Sequence, residues 1–196
     1  MKSINVKGTA RTATGKKATR DLRKNGGVPC NLYGENKNEN GESIAMSFAT
    51  TQEELRKLVY SPDIYSVNLT IDGKECKAVM KELQFHPVTD QLLHVDFYEI
   101  TEEKPIVMEV PIQMTGLAEG VKAGGKLAAS VRKLKVRAPY TAIPEKLIID
   151  VTNLALGKTI KVGELSFEGL ELVTSPSVVV CQVKMTRSAM SAAAKG

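Results

Sequence analysis

Tryptophan is absent from this chain, and aromatic residues make up only 5% of it. A core without large rings must be filled by Val, Leu and Ile, which suits β structure. Cysteines are also few. Cys30, Cys76 and Cys181 are odd in number, widely spaced and without a C-x-x-C. That pattern argues against a disulfide framework and a zinc finger, and fits free thiols in a reducing cytoplasm. No apolar run reaches the ~20 residues that a membrane helix needs. The opening stretch MKSINVKGTAR lacks the apolar segment of a secretory signal. Walker A, Rossmann and G-x-S-x-G patterns are missing too, so nothing points to a nucleotide site or an activated serine.

What is present is ordinary in amount and uneven in placement. The 196 residues are 42% hydrophobic and 25% charged, enough for one large domain or two small ones. Positive charge collects at one end. Met1 to Lys24 holds Lys2, Lys7, Arg11, Lys16, Lys17, Arg20, Arg23 and Lys24 against a single acid, Asp21, a net +7. The whole chain carries +5, so everything after Lys24 is slightly acidic. The basicity is a local device.

Hydrophobic patterning predicts many short strands and few helices. SINVKGTAR alternates as a strand, KKATRDLRKN reads as a short helix stopped by Gly26-Gly27, and VPCNLYG follows as a strand. ENKNENGE is a polar loop, and SIAMSFAT a further strand. TTQEELRKLV is a second helix, with a Thr51/Glu54 capping box and an apolar face of Leu55, Leu58 and Val59. SVNLTIDGKECKAVMKELQF is a hairpin turning at Asp72-Gly73, and LLHVDFYEI is another strand. TEEKP reads as a linker. Beyond it IVMEVPIQM, SVRKLKVRAP, KLIIDVTNL, GKTIKV and PSVVVCQVKM read as strands, GLAEGVKAGGKLAAS is Gly/Ala-rich, and the final residues are expected to be disordered. The chain is therefore read as an N-terminal β-rich domain with two helices (residues 1–100), a C-terminal β domain (101–187) and a tail (188–196).

On a helical wheel Lys16, Arg20 and Arg23 fall within about 60° of one another, opposite Ala18 and Leu22. The apolar stripe can dock while the bases project together. Such a set suits a polyphosphate, where each contact neutralises a phosphate and releases a counterion. Arg adds a bidentate fork, and Arg11 and Tyr33 on the flanking strands can border the same surface. A solvated helix face and an anionic membrane surface satisfy the charge pattern as well.

The two histidines lie in QFHPVTDQLLHVDFYEI. His94 and Asp96 are two apart, so on a strand they share a face. They can ligate a metal, move a proton, bond a base or ribose, or simply bond each other. No third ligand sits at a motif spacing and no nucleophile accompanies them.

GKKATRDLRKNGGVPCNLYG resembles the signature G-K-x-A-x-R-x-L-R … G-x-V-P-A-x-L-Y-G of the bacterial large-subunit ribosomal protein family L-twenty-five. QFHPVTDQLLHVDFYEI is similar to that family's second signature, H-P-V followed by L-x-H-V-D-F. VPIQMTGLAEGVKAGGKL and AIPEKLIIDVTNLALGKTI look like the second domain of its long form, the CTC or general stress proteins. The resemblance covers nearly the whole chain.

It implies a mainly β fold with a few helices (α+β): an N-terminal β-barrel similar to the anticodon-binding domain of glutaminyl-tRNA synthetase, then a β-rich domain. It implies a structural constituent of the large ribosomal subunit that binds 5S rRNA in the cytoplasm. Enzyme activity, cofactor, metal and membrane are not implied. The alternative is a tRNA-like or stress-related RNA-binding factor acting off the ribosome. Carried onto this chain, the RNA-binding residues are Arg11, Lys16, Arg20, Arg23, Tyr33, Gln84, His94 and Asp96. The bases would hold phosphates, and Gln84, His94 and Asp96 would meet ribose hydroxyls and base edges. Three departures stand out: Cys30 for the usual Ala, Asp21 for a frequent base, and Phe85 for a frequent Arg. The basic strand SVRKLKVRAP is read as solvated or weakly contacting; RNA and neighbouring ribosomal proteins are its other possible partners.

Overall fold

The computed structural model describes residues 1–34, 45–101 and 104–186. The loop 35–42, the start of the strand SIAMSFAT, the middle of TEEKP and the tail lie outside the described residues. The chain divides into two compact units, Met1–Lys104 and Pro105–Gly196.

The first unit runs β1 (Lys2–Ala10), α1 (Lys16–Lys24), β2 (Gly27–Tyr33), β3 (Met46–Thr51), α2 (Gln52–Val59), β4 (Tyr65–Ile71), β5 (Lys74–Phe85) and β6 (Leu92–Glu99). Its six strands close into a barrel in the order β1-β3-β2-β6-β5-β4. Most neighbours are antiparallel, but β1 with β4 and β2 with β6 are parallel. Closure leaves no free sheet edge. The alternation read from the sequence sets the interior: Cys30, Leu32, Phe48, Val67, Leu69, Val95 and Phe97 are buried on the inward faces of four of the strands. Phe48 and Phe97 meet with ring centroids 5.7 Å apart and supply the core's bulk.

Local chemistry fixes the connections. Asp72 (φ 48°) and Gly73 (φ 83°) make the β4–β5 hairpin a type I′ turn. Thr51 Oγ1 accepts the Glu54 N–H at 3.4 Å, which caps α2. Leu55 and Leu58 then enter the barrel core, with Val59 packed at its margin.

The second unit runs β7 (Pro105–Thr115), a single-turn α3 (Glu119–Lys122), β8 (Lys126–Ala129), β9 (Lys133–Pro139), β10 (Leu147–Asp150), β11 (Thr159–Lys161), β12 (Glu171–Leu172) and β13 (Val179–Lys184). These form a four-stranded sheet, β10-β7-β9-β12, and a three-stranded one, β11-β13-β8. The Gly/Ala-rich stretch, which periodicity left without an element, supplies α3 and β8. On β9 the strict alternation holds: Leu134, Val136 and Ala138 are buried, while Lys133, Lys135 and Arg137 are exposed.

Candidate nucleic-acid interface

The basic segment forms α1, and its end is set by two glycines with different tasks. Gly26 adopts φ +76°, the left-handed conformation that closes a helix. Gly27 lies against Leu22: a Cβ there would stand 2.6 Å from Leu22 Cδ1. The docking of α1 on the barrel therefore depends on a residue without a side chain. Arg23 and Lys24 occupy the last turn, where the helix dipole favours positive charge.

Lys16, Lys17 and Arg20 are exposed. Arg23 departs from the wheel's expectation of three bases projecting as a set. It is half-buried, and its Nε and NH2 both donate to the Leu93 carbonyl, at 3.0 and 2.8 Å. The cause lies in the sheet. The β5–β6 pairing jumps from Gln84–His94 to Phe85–Leu92, so Leu93 is bulged out of register. Its carbonyl is taken by the guanidinium, and α1 is pinned to β6 one residue before His94.

Arg11 also departs in position. It lies one residue past β1, where its N–H extends the ladder to the Ser47 carbonyl at 2.9 Å. Its guanidinium reaches the Ala13 carbonyl at 3.2 Å and Thr19 Oγ1 at 3.3 Å, bracing the β1–α1 connection. Asp21 stands 3.9 Å from Arg20 Nε with both side chains exposed, a loose surface pair that subtracts charge from the stripe.

The remaining residues stand on the barrel's outer face. Gln84 lies opposite His94 on neighbouring strands. His94 Nδ1 is 3.6 Å from Asp96 Oδ1, with the two side chains 19% and 20% exposed. Tyr33 sits beside β6 and packs edge-on against Tyr98, with centroids 5.8 Å apart and planes at 72°. Partial burial, then Asp96 and Glu82, push its phenol above the ordinary value, so it stays protonated and can donate. Behind this face Cys30 is fully buried, and burial with the Asp96 charge lifts its thiol to about 12. All three cysteines are free.

The structure thus joins a basic helix edge to a polar strand face through Arg23. Three residues of that face were not singled out in the sequence: Asn31 and Glu82, which register sets beside Asp96, and Ser47, which it sets beside Asn31. The period-two spacing of Asn31 and Tyr33 on β2 is the signal that could have found the first. Phe85 is 40% exposed and its ring meets Tyr60 at 6.4 Å, so this departure from a base makes an aromatic pair beside Gln84. A groove of 410 Å³ lies between Leu22 of α1, Asn25 just past its end and Glu54 of α2, and none of the eight assigned residues lines it. Among the described residues no cluster of three His, Cys, Asp or Glu could hold a metal ion, and no helix is long and apolar enough to cross a membrane.

A closed barrel with a basic helix locked beside a donor- and acceptor-rich face has the features of the RNA-binding class. Comparison with known proteins makes this specific. Residues 6–97 match the model of the ribosomal L25p family, and residues 105–187 match that of the C-terminal domain of ribosomal protein TL5. The large ribosomal subunit protein bL25 of Phocaeicola vulgatus is 64% identical over 194 residues, which cover 99% of this chain and 98% of that one. Its counterpart in Bacteroides thetaiotaomicron is 60% identical over 199 residues, with the same coverage. That of Porphyromonas gingivalis is 53% identical over 196 residues, 100% of this chain and 99% of its own. The chain belongs to the ribosomal L25p family.

Proposed function

We propose that this protein is a structural component of the large ribosomal subunit whose first unit binds 5S rRNA. The observation that carries the reading is the Arg23–Leu93 clamp. It fixes an exposed cationic helix edge against the strand that bears His94 and Asp96. Lys16 and Arg20, with Lys17 and Lys24 beside them, meet phosphates. Arg11 braces the helix entry and keeps further guanidinium donors for the backbone. Gln84, His94, Asp96 and the Tyr33 hydroxyl meet ribose hydroxyls and base edges in the shallow groove of an A-form helix. His94 and Asp96 act here as hydrogen-bonding groups and need no cofactor for it. Arg23 orients the helix and is a positioning residue first.

Binding of the full chain to 5S rRNA across a salt series tests this. With about five phosphate contacts, log K falls against log[salt] with a slope of roughly −3.5 to −4.5. Arg20→Ala weakens binding and makes the slope shallower by about 0.7–0.9. Affinity for unrelated duplex DNA equal to that for 5S rRNA would defeat the proposal. Stoichiometric retention on salt-washed large subunits separates it from action off the ribosome.

A further inference from the structure

The barrel's outer face carries a polar row wider than the assigned residues. Strand register puts Glu82 of β5 opposite Asp96 of β6, Asp96 opposite Asn31 of β2, and Asn31 opposite Ser47 of β3. The hydrogen bond from the Arg11 N–H to the Ser47 carbonyl sets Arg11 next in line. At about 4.8 Å per strand, the row spans about 19 Å from Glu82 to Arg11. Its members face outward, because their neighbours Cys30, Leu32, Phe48, Val95 and Phe97 fill the interior. Asn31 and Ser47 occupy the middle, between a cationic end and an anionic one. Ser47 Oγ donates to Asn31 Oδ1 at 3.0 Å. That bond uses the amide's acceptor, fixes its plane and leaves both Nδ2 hydrogens to donate.

We propose that Asn31, oriented by Ser47, is a specificity-determining RNA contact that reads a base edge between the backbone held near Arg11 and the groove groups met by His94 and Asp96. This inference rests on the RNA-binding reading above and adds to it. Asp96 accepts only, so it suits a ribose hydroxyl or an exocyclic amino group. Asn31 beside it supplies the complementary donor for a purine N3 or pyrimidine O2. Neighbouring strands therefore offer an acceptor and a donor side by side. A guanine edge in the shallow groove satisfies both, since it carries an amino donor next to a ring acceptor. Asn31 and Ser47 bear no charge, so they add selectivity without adding to the salt dependence.

The test measures Asn31→Leu and Ser47→Ala in the full chain against 5S rRNA and against an unrelated RNA duplex. Asn31→Leu should weaken 5S rRNA binding about 10-fold, the loss expected from one good hydrogen-bonding contact. Its salt slope should stay that of the parent, and its affinity for the unrelated duplex should not move. Ser47→Ala should weaken 5S rRNA binding less, about 3-fold, through loss of orientation alone. Should Asn31→Leu fail to fold, by its melting curve, Asn31→Ser takes its place with the same expectation. Binding within twofold of the parent, or a shallower salt slope, overturns the inference. If Arg20→Ala weakens binding and Asn31→Leu does not, only this inference falls. If the parent itself does not prefer 5S rRNA, the functional proposal falls with it.

Discussion

Each unit of this protein displays a basic stripe, and the two stripes are built differently. On α1 the bases Lys16, Lys17, Arg20, Arg23 and Lys24 have one acid among them, Asp21. On β9 Lys133, Lys135 and Arg137 project from alternate positions of a strand whose neighbours bring acids to the last two. Lys135 Nζ lies 4.0 Å from Glu109 of β7, and Arg137 NH1 lies 3.6 Å from Glu171 of β12. A sheet imposes cross-strand neighbours on every outward residue, so a strand's charge is read only with its partners. A helix edge beside a barrel has no such imposed partner and keeps its net charge. Composition alone does not separate the two cases. Register does.

The cores differ as well, and this carries the largest predicted effect. The first unit's barrel closes on one interior in which Phe48 and Phe97 touch. Phe48→Ala should remove about 3–5 kcal/mol of stability, measured by urea unfolding of the first unit. RNA binding should disappear with the fold. Leu134→Ala in the second unit's sheet should cost about 2–5 kcal/mol there and leave the first unit's binding in place below its own transition. Loss of binding in both variants would show that the units do not divide the work.

A smaller effect is expected where α1 meets the barrel. Gly27→Val drives a Cβ into Leu22, whose Cδ1 and Cγ stand 2.6 and 2.9 Å from it. The cost should be about 1–3 kcal/mol, with weaker RNA binding because the helix edge is displaced. Leu22→Ala combined with Gly27→Val removes the branch that clashes. That double variant should melt closer to the parent than Leu22→Ala and Gly27→Val predict by simple addition. Additive losses would mean that Leu22 and Gly27 do not couple helix to barrel.

Much of the first unit was legible in the sequence because its signals are local. The Asp72-Gly73 turn, the Thr51 cap and the alternation of β4 and β5 each rest on neighbours in the chain. The two parallel pairings, β1 with β4 and β2 with β6, have no local signature and so could not be read. The site divides the same way. Lys16 and Arg20 follow from a helical period, and His94 with Asp96 from a strand period. Arg23 was placed on the projecting edge because a wheel knows nothing of a bulge at Leu93, 70 residues away. Asn31 and Ser47 stayed hidden because each is an ordinary polar residue until β2 and β3 pair. In the second unit α3 and β8 were missed because small residues carry little periodicity to detect.

The smallest expected effect is the most direct test of the comparison between the stripes. Lys135→Gln with Arg137→Gln removes two charges from β9, as many as would be lost with two phosphate contacts. If β9 touched RNA backbone, log K against log[salt] would become shallower by about 1.4–1.8. The pairing with Glu109 and Glu171 leads to the opposite expectation: slope unchanged and 5S rRNA affinity within about twofold. Stability should hardly move, because exposed pairs contribute only about 0–1 kcal/mol each. Glu109 and Glu171 lose their partners in this variant, but both are exposed and water replaces the missing cations. A shallower slope would mean that the cross-strand acids do not mask the stripe, and that register is a poorer guide to a strand's charge than this pair of units suggests.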